Sequence, residues 1–198
     1  MKRIPVLASL VVAAAVATMI ALGFWQLRRA ETKEQLVEQY EAAQKLPPIT
    51  FPTAPLKERP PLFRWATGFC AKPVGQRAIA GENQKGEAGY AHIVQCSTGA
   101  EGPGMAVDIG WSKDPNAKWT WPGGPVSGII VSDRLQKIRL VAASSPQGLQ
   151  PSAVPSIESA VQVTPAGHRG YAIQWFAFAA IAALIYGLAV RKRMTSGD

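Results

Sequence analysis

Charge is scarce in this chain of 198 residues: Asp, Glu, Lys and Arg make up 17%, below the roughly 25% usual for soluble domains. That excludes a highly charged disordered chain. Cysteine and histidine are scarcer still, with 2 of each. Two cysteines exclude a disulfide-dense scaffold and a four-cysteine zinc site. Two histidines exclude a multi-histidine metal cluster. There is no G-x-S-x-G elbow, no H-E-x-x-H and no P-loop. A Ser-His-Asp arrangement would need His92 or His168, neither of which has a local signature, and no carboxylate pair stands out. An enzyme is therefore not expected.

What the chain has instead is apolar residues, 47% of the total, gathered at its two ends. No charged residue occurs between Arg3 and Arg28, nor between Arg169 and Arg191. A helix needs about 20 apolar residues to cross the hydrocarbon core of a bilayer, so both stretches predict transmembrane helices, over 4–27 and 170–190. Ala15-Val16-Ala17 offers an A-x-A-like signal-peptidase site. The apolar run continues past it through Met19, Ile20, Leu22 and Phe24, which favours an uncleaved anchor. A buried soluble helix is a poor reading of the second stretch, because such helices rarely lack a polar face for five or six turns.

Lys2 and Arg3 precede the first span, and Arg191, Lys192 and Arg193 follow the second. Basic short ends stay in the cytoplasm, whereas long segments translocate largely regardless of charge. Both termini are thus expected inside and the central domain in the periplasm, with no Arg/Ser-rich transit peptide ahead of the first span. A two-pass protein of the bacterial inner membrane is the expected setting. Of the net charge of +8, half belongs to the ends. The other +4 is spread from Arg28 to Arg169 and is not bunched with aromatics, so nucleic-acid binding has no support.

Between the spans, residues 28–62 read as a helical extension followed by a Pro-rich linker. Ala30 to Gln44 is rich in Glu, Gln, Lys and Ala, and six prolines follow from Pro47 to Pro61. Residues 63–146 read as an antiparallel β domain. Strands are predicted over Trp65–Cys70, Tyr90–Cys96, Met105–Trp111, Val126–Val131 and Ile138–Ala142. Turns are predicted around Gly75, Gly81, Gly102-Pro103-Gly104, Trp121-Pro122-Gly123-Gly124 and Ser145-Pro146. An irregular return segment, 147–169, leads to the second span. The fold class expected is an α+β membrane protein, two transmembrane helices flanking an antiparallel β-rich extracytoplasmic domain.

Cys70 and Cys96 lie in strand-like segments expected to be neighbours, and an oxidising outer compartment suits a disulfide between them. A copper site of Cys70, Cys96 and His92 is the alternative, although the spacing departs from known metal motifs. The membrane boundary carries more information. If both ends are inside, Trp25, Gln26, Arg28 and Arg29 of the first span reach the same outer surface as His168, Arg169, Tyr171, Gln174 and Trp175 of the second. An aromatic belt with flanking arginines accounts for many of these, but not for a histidine beside two glutamines. Imidazole binds haem iron axially, arginines pair with propionates and tryptophans pack on the macrocycle. A haem site with His168 on the iron is therefore a candidate.

The same residues carry a resemblance. Leu22-Gly23-Phe24-Trp25-Gln26-Leu27-Arg28-Arg29 with Lys33, and His168-Arg169-Gly170-Tyr171-Ala172-Ile173-Gln174-Trp175-Phe176, resemble the span signatures of the surfeit-locus cytochrome c oxidase assembly factors. Gly68-Phe69, Gly89-Tyr90 and Gly110-Trp111 fall where that family has strand motifs, while Ile109 replaces its common arginine before Gly-Trp. The resemblance implies a non-enzymatic chaperone of the respiratory chain that helps insert haem a into the catalytic subunit of aa3-type oxidases. It implies His168 as the haem a ligand. The partners expected are haem a synthase, the oxidase catalytic subunit and the lipid bilayer. The alternative is a scaffold or accessory subunit that binds oxidase but no haem.

Overall fold

The computed structural model describes residues 6–53, 59–99 and 104–195. The basic ends Lys2-Arg3, the expected start of the first span at residues 4 and 5, Pro55, Gly102-Pro103 and Asp198 lie outside the described residues. Two compact units share the chain: one comprises residues 6–37 and 161–195, the other residues 38–160.

The first unit holds helix α1 (Val6–Gln44) as far as residue 37 and helix α3 (Pro165–Thr195); the last residues of α1 and the one-turn helix α2 (Ile157–Ala160) belong to the second unit. Both α1 and α3 contain an apolar window long enough to cross a bilayer, and only 6% of either window is buried within the protein. Such naked apolar helices are stable in lipid, where every backbone polar group is satisfied inside the helix and the side chains match the solvent. The chain is a two-pass membrane protein of the α+β class. At 39 residues α1 is about 58 Å long at 1.5 Å per residue, about twice the hydrocarbon thickness. Its polar C-terminal half is the Glu/Lys/Gln-rich stretch that the sequence marks as helical.

Small residues form the seam between the two helices. Gly23 and Ala30 of α1, and Ala172 and Ala179 of α3, are buried. Lipid offers no hydrophobic drive for helix pairing, so close backbone approach takes its place. A Cβ at Gly23 would lie 2.5 Å from Phe176 Cε1, so any larger residue must displace that ring. Phe24 and Phe176 meet edge to face at 5.3 Å, and Ser9 and Tyr186 share a hydrogen bond of 2.6 Å further along.

The second unit is a seven-stranded sheet. Its strands are β1 (Ile49–Thr50), β2 (Trp65–Cys70), β3 (Lys72–Glu82), β4 (Ala88–Ser97), β5 (Met105–Ser112), β6 (Gly124–Asp133) and β7 (Lys137–Ala142). Their spatial order is β1-β2-β6-β7-β5-β4-β3. The β2–β6, β3–β4, β4–β5 and β6–β7 pairs are antiparallel, as expected. The β1–β2 and β5–β7 pairs are parallel, so the sheet is mixed. The parallel join arises because the β6–β7 hairpin packs as a block against β5.

Only Ala71 separates β2 from β3, yet these strands stand second and last in the order. In a flat sheet they would lie about 24 Å apart at about 4.8 Å per strand, well beyond the reach of one residue. The sheet therefore curls until β2 and β3 meet at Ala71, whose N–H donates to Ser97 O at 2.9 Å and continues the β3–β4 ladder to the corner. Inside lie Phe51, Phe63, Val94, Met105, Val107, Ile109, Ile130 and Leu140, with both cysteines. Tyr40, from the end of α1, packs on Phe63 at 5.0 Å.

Two expectations need correction. Gly75 and Gly81 are not turns but lie within β3. Exposed or half-buried along its whole length, β3 shows no hydrophobic alternation, and it carries a bulge between Pro73 and Gly75. The other concerns the cysteines. Cys70 and Cys96 are bonded to each other, but β2 and β4 are not sheet neighbours. The curl brings them together, with Cα atoms 5.1 Å apart.

A buried charge network crosses the sheet. Arg77 of β3 donates to Asp133 Oδ2 at 2.6 Å, and Arg139 of β7 lies between Asp133 and Asp108. Ser152 Oγ donates to Asp108 Oδ1 at 2.6 Å. Burial pushes the Asp108 carboxyl up to about 6, against the opposing pull of Ser152 and Arg139. A pKa raised by folding stabilises the fold fully below the unfolded value of 3.8, and the contribution is lost as pH rises through about 6. A shift of about two units corresponds to roughly 3 kcal/mol. His92 works in the opposite sense, since burial lowers its pKa, so the wild-type profile alone mixes the two. The difference between wild type and Asp108→Asn in urea unfolding should therefore change by about that amount between pH 4 and pH 7. A difference independent of pH would remove Asp108 from the titration.

Candidate functional site

The site is built at the start of α3. Thr164 Oγ1 accepts from Gly167 N–H at 3.1 Å and Pro165 takes the first helical position, a matched N-cap and N1 pair. The cap starts the helix at Pro165 and places His168 in its first turn, on the face that includes Ala172 and Ala179. His168 is 8% exposed. Its Nδ1 lies 2.6 Å from Gln26 Oε1 of α1. A carbonyl oxygen only accepts, so Nδ1 carries the proton and donates. The other nitrogen, Nε2, then carries the lone pair and has no protein partner among the described residues.

Charge surrounds this bond on one side. Gln26, Arg29 and Lys33 recur at i, i+3 and i+7, so they share a flank of α1. The cationic groups of Lys33 and Arg29 both act electrostatically on His168. Lys33 Nζ also donates to Val161 O at 2.7 Å, and Arg169 pairs with Glu34 at 2.7 Å across the two helices.

The boundary residues named from sequence do not all converge. His168 and Gln26 touch, and Arg29 flanks them. Arg28, two residues from Gln26, faces the opposite side of α1. Gln174 is exposed and lies two residues from buried Ala172, so it points away from the seam. Trp25 is 55% and Tyr171 47% exposed. Trp175 is half-buried and meets Phe178 edge to face. Sequence reasoning gave no site role to Lys33 or to the Gly23–Phe176 contact, although the i, i+3, i+7 recurrence of Gln26, Arg29 and Lys33 was available as a signal.

The β domain binds its own histidine differently. His92 Nε2 lies 2.8 Å from Ser112 Oγ. Ser112 gives its own proton to Asp114 O at 2.6 Å, so His92 must donate from Nε2. His92 lines a cleft of about 310 Å³ with Arg77 and Trp119. With both cysteine sulfurs joined to each other, no thiolate stands beside it. Among the described residues no group of three or more His, Cys, Asp and Glu side chains is placed to share a metal ion.

Of the Gly-aromatic pairs of the strands, only Trp111 buries its ring among the described residues, while Phe69 and Tyr90 are exposed. Gly89 leaves room for the ring of Trp111, whose Nε1–H donates to Gly81 O at 3.1 Å. These contacts shape the fold rather than line the His168 seam. A family model described as the SURF1 family matches residues 13–180, a range that includes the N-terminal signature, the whole sheet and His168. No curated protein gives a significant match.

Proposed function

The chain belongs to the SURF1 family, and from that premise we propose that it holds haem a at the His168–Gln26 seam and assists its insertion into the catalytic subunit of an aa3-type oxidase. The family is associated with cytochrome c oxidase assembly. The finer reading rests on one observation: a buried histidine whose Nδ1 is engaged and whose Nε2 is left with its lone pair.

The residues present fit such a cargo. Neutral imidazole with a free nitrogen is an axial donor for haem iron. Arg29 and Lys33 supply positive charge on one flank for carboxylates. The exposed apolar surface of both helices suits a hydrophobic tail. When bound, haem a brings its own redox chemistry. The protein binds, orients and releases, and no residue is assigned a catalytic role. On this reading haem a synthase is the donor, the oxidase catalytic subunit the acceptor and the bilayer the medium.

The function is tested in cells that lack the protein. Their aa3 oxidase should contain less haem a and be correspondingly less active, and a plasmid copy should restore both. Normal haem a content in the deletion strain would contradict the assembly role.

The proposed orientation places both termini in the cytoplasm and the β domain in the periplasm of the inner membrane. A reporter active only in the periplasm should work when fused near Gly99 and fail when fused after Asp198. Activity at the C-terminus would overturn it. The Cys70–Cys96 bond supports this placement, since disulfides persist in oxidising compartments.

A further inference from the structure

This inference rests on the reading of His168 as the haem a ligand and assigns the residue behind it. We propose that Gln26 is a positioning residue: its side-chain carbonyl fixes His168 as the Nδ1–H tautomer and so presents Nε2 as the ligand nitrogen. Its role is toward the imidazole and not toward the haem itself.

Three observations converge. The Gln26 Oε1 to His168 Nδ1 distance of 2.6 Å is that of a short hydrogen bond. Gln26 lies between Gly23 and Ala30, three residues after one and four before the other, both on the buried face of α1. The missing Cβ at Gly23 lets α3 come close enough for a glutamine to reach across. The third is the N-cap at Thr164, which fixes where on α3 the imidazole stands. Neutral imidazole in water favours the proton on Nε2, the tautomer that cannot ligate through Nε2 without first moving that proton. An acceptor placed on Nδ1 reverses the preference in advance of binding. Metal-bound histidines are commonly oriented in this way, and loss of the outer partner typically costs about 10–100-fold in affinity.

The protein contains its own reference. His92 donates from Nε2 to Ser112, so the two histidines of the chain should be opposite tautomers. Histidine-selective 15N labelling of the haem-free, full-length protein in nanodiscs, read by two-bond 15N–1H correlations, separates them. The wild type should show one Nδ1–H and one Nε2–H ring. Gln26→Leu should move His168 to Nε2–H or to a mixture while leaving His92 unchanged. Gln26→Glu, which keeps an acceptor, should retain the wild-type pattern. After loading with haem a, Gln26→Leu should retain about tenfold less and shift the iron–histidine stretch, and Gln26→Glu should retain more than Gln26→Leu. An Nε2–H ring at His168 in the wild type, or no change in Gln26→Leu, would overturn the proposal. Because the tautomers are read without haem, a protein that shows them but never binds haem a would refute the haem reading while leaving the Gln26–His168 positioning intact.

Discussion

His168→Ala is expected to remove most or all haem a from the purified protein and to lower the activity of the oxidase that depends on it. The substitution deletes the one imidazole of the membrane unit, and with it Nε2. It should not dismantle that unit. Gly23 against Phe176, Lys33 against the Val161 carbonyl and Glu34 against Arg169 are untouched. Both spans keep their apolar length, so insertion should be normal. The arginines should separate by position. Arg29→Ala should weaken retention modestly, because an exposed ion pair contributes about 0–1 kcal/mol. Arg28→Ala, on the opposite side of α1 from Gln26, should change nothing. Haem content by pyridine haemochrome and oxidase activity from the same strain check each case. Wild-type retention in His168→Ala would reject this residue as the ligand. Lost haem with full oxidase activity would show a site that the delivery does not need.

Breaking the Cys70–Cys96 bond is expected to have the largest effect on stability. The two cysteines are 26 residues apart in sequence. Cross-linking a loop of that size removes chain entropy from the unfolded state, on the order of 3–4 kcal/mol. The bond also ties two strands that no sheet hydrogen bonds connect, across the place where the curled sheet closes. Reduced thiols behave as small apolar groups, so the loss should come from the cross-link and not from stranded polarity. The urea midpoint of the detergent-solubilised protein, with and without reductant, measures it, and Cys70→Ala/Cys96→Ala should match the reduced form to within the cost of two small cavities. Two freely alkylated thiols in the unreduced protein would contradict the bond itself.

The parts of the fold legible in sequence were those with a strong periodic signal. Two charge-free stretches mark the spans, alternation marks β2 and β4, and apolar runs between Gly/Pro turns mark β5, β6 and β7, all close to their observed limits. The misses share a cause. Strand β3 is an edge with no buried residue, its apolar side chains small or scattered, so its pairing comes from β4 and not from a buried face. Strand β1 is two residues long inside a Pro-rich stretch and exists because β2 offers a parallel partner. The curl of the sheet is a property of strand order, which local pattern does not encode, and so the cysteines were placed on neighbouring strands.

At the site, residue type drew attention to His168 and Gln26, but not to their mutual bond. That bond depends on helix register, set by Gly23, Phe176 and the Thr164 cap. Register also explains why Arg28 and Arg29, adjacent in sequence, face different surroundings.

The optical spectrum of the wild-type protein, purified from cells that make haem a, tests the central claim most directly. The account expects haem a to copurify, with a spectrum that disappears or shifts strongly in His168→Ala prepared in parallel. A colourless wild-type protein that still restores oxidase assembly in the deletion strain would contradict it, and would identify the chain as an assembly scaffold that never carries the haem.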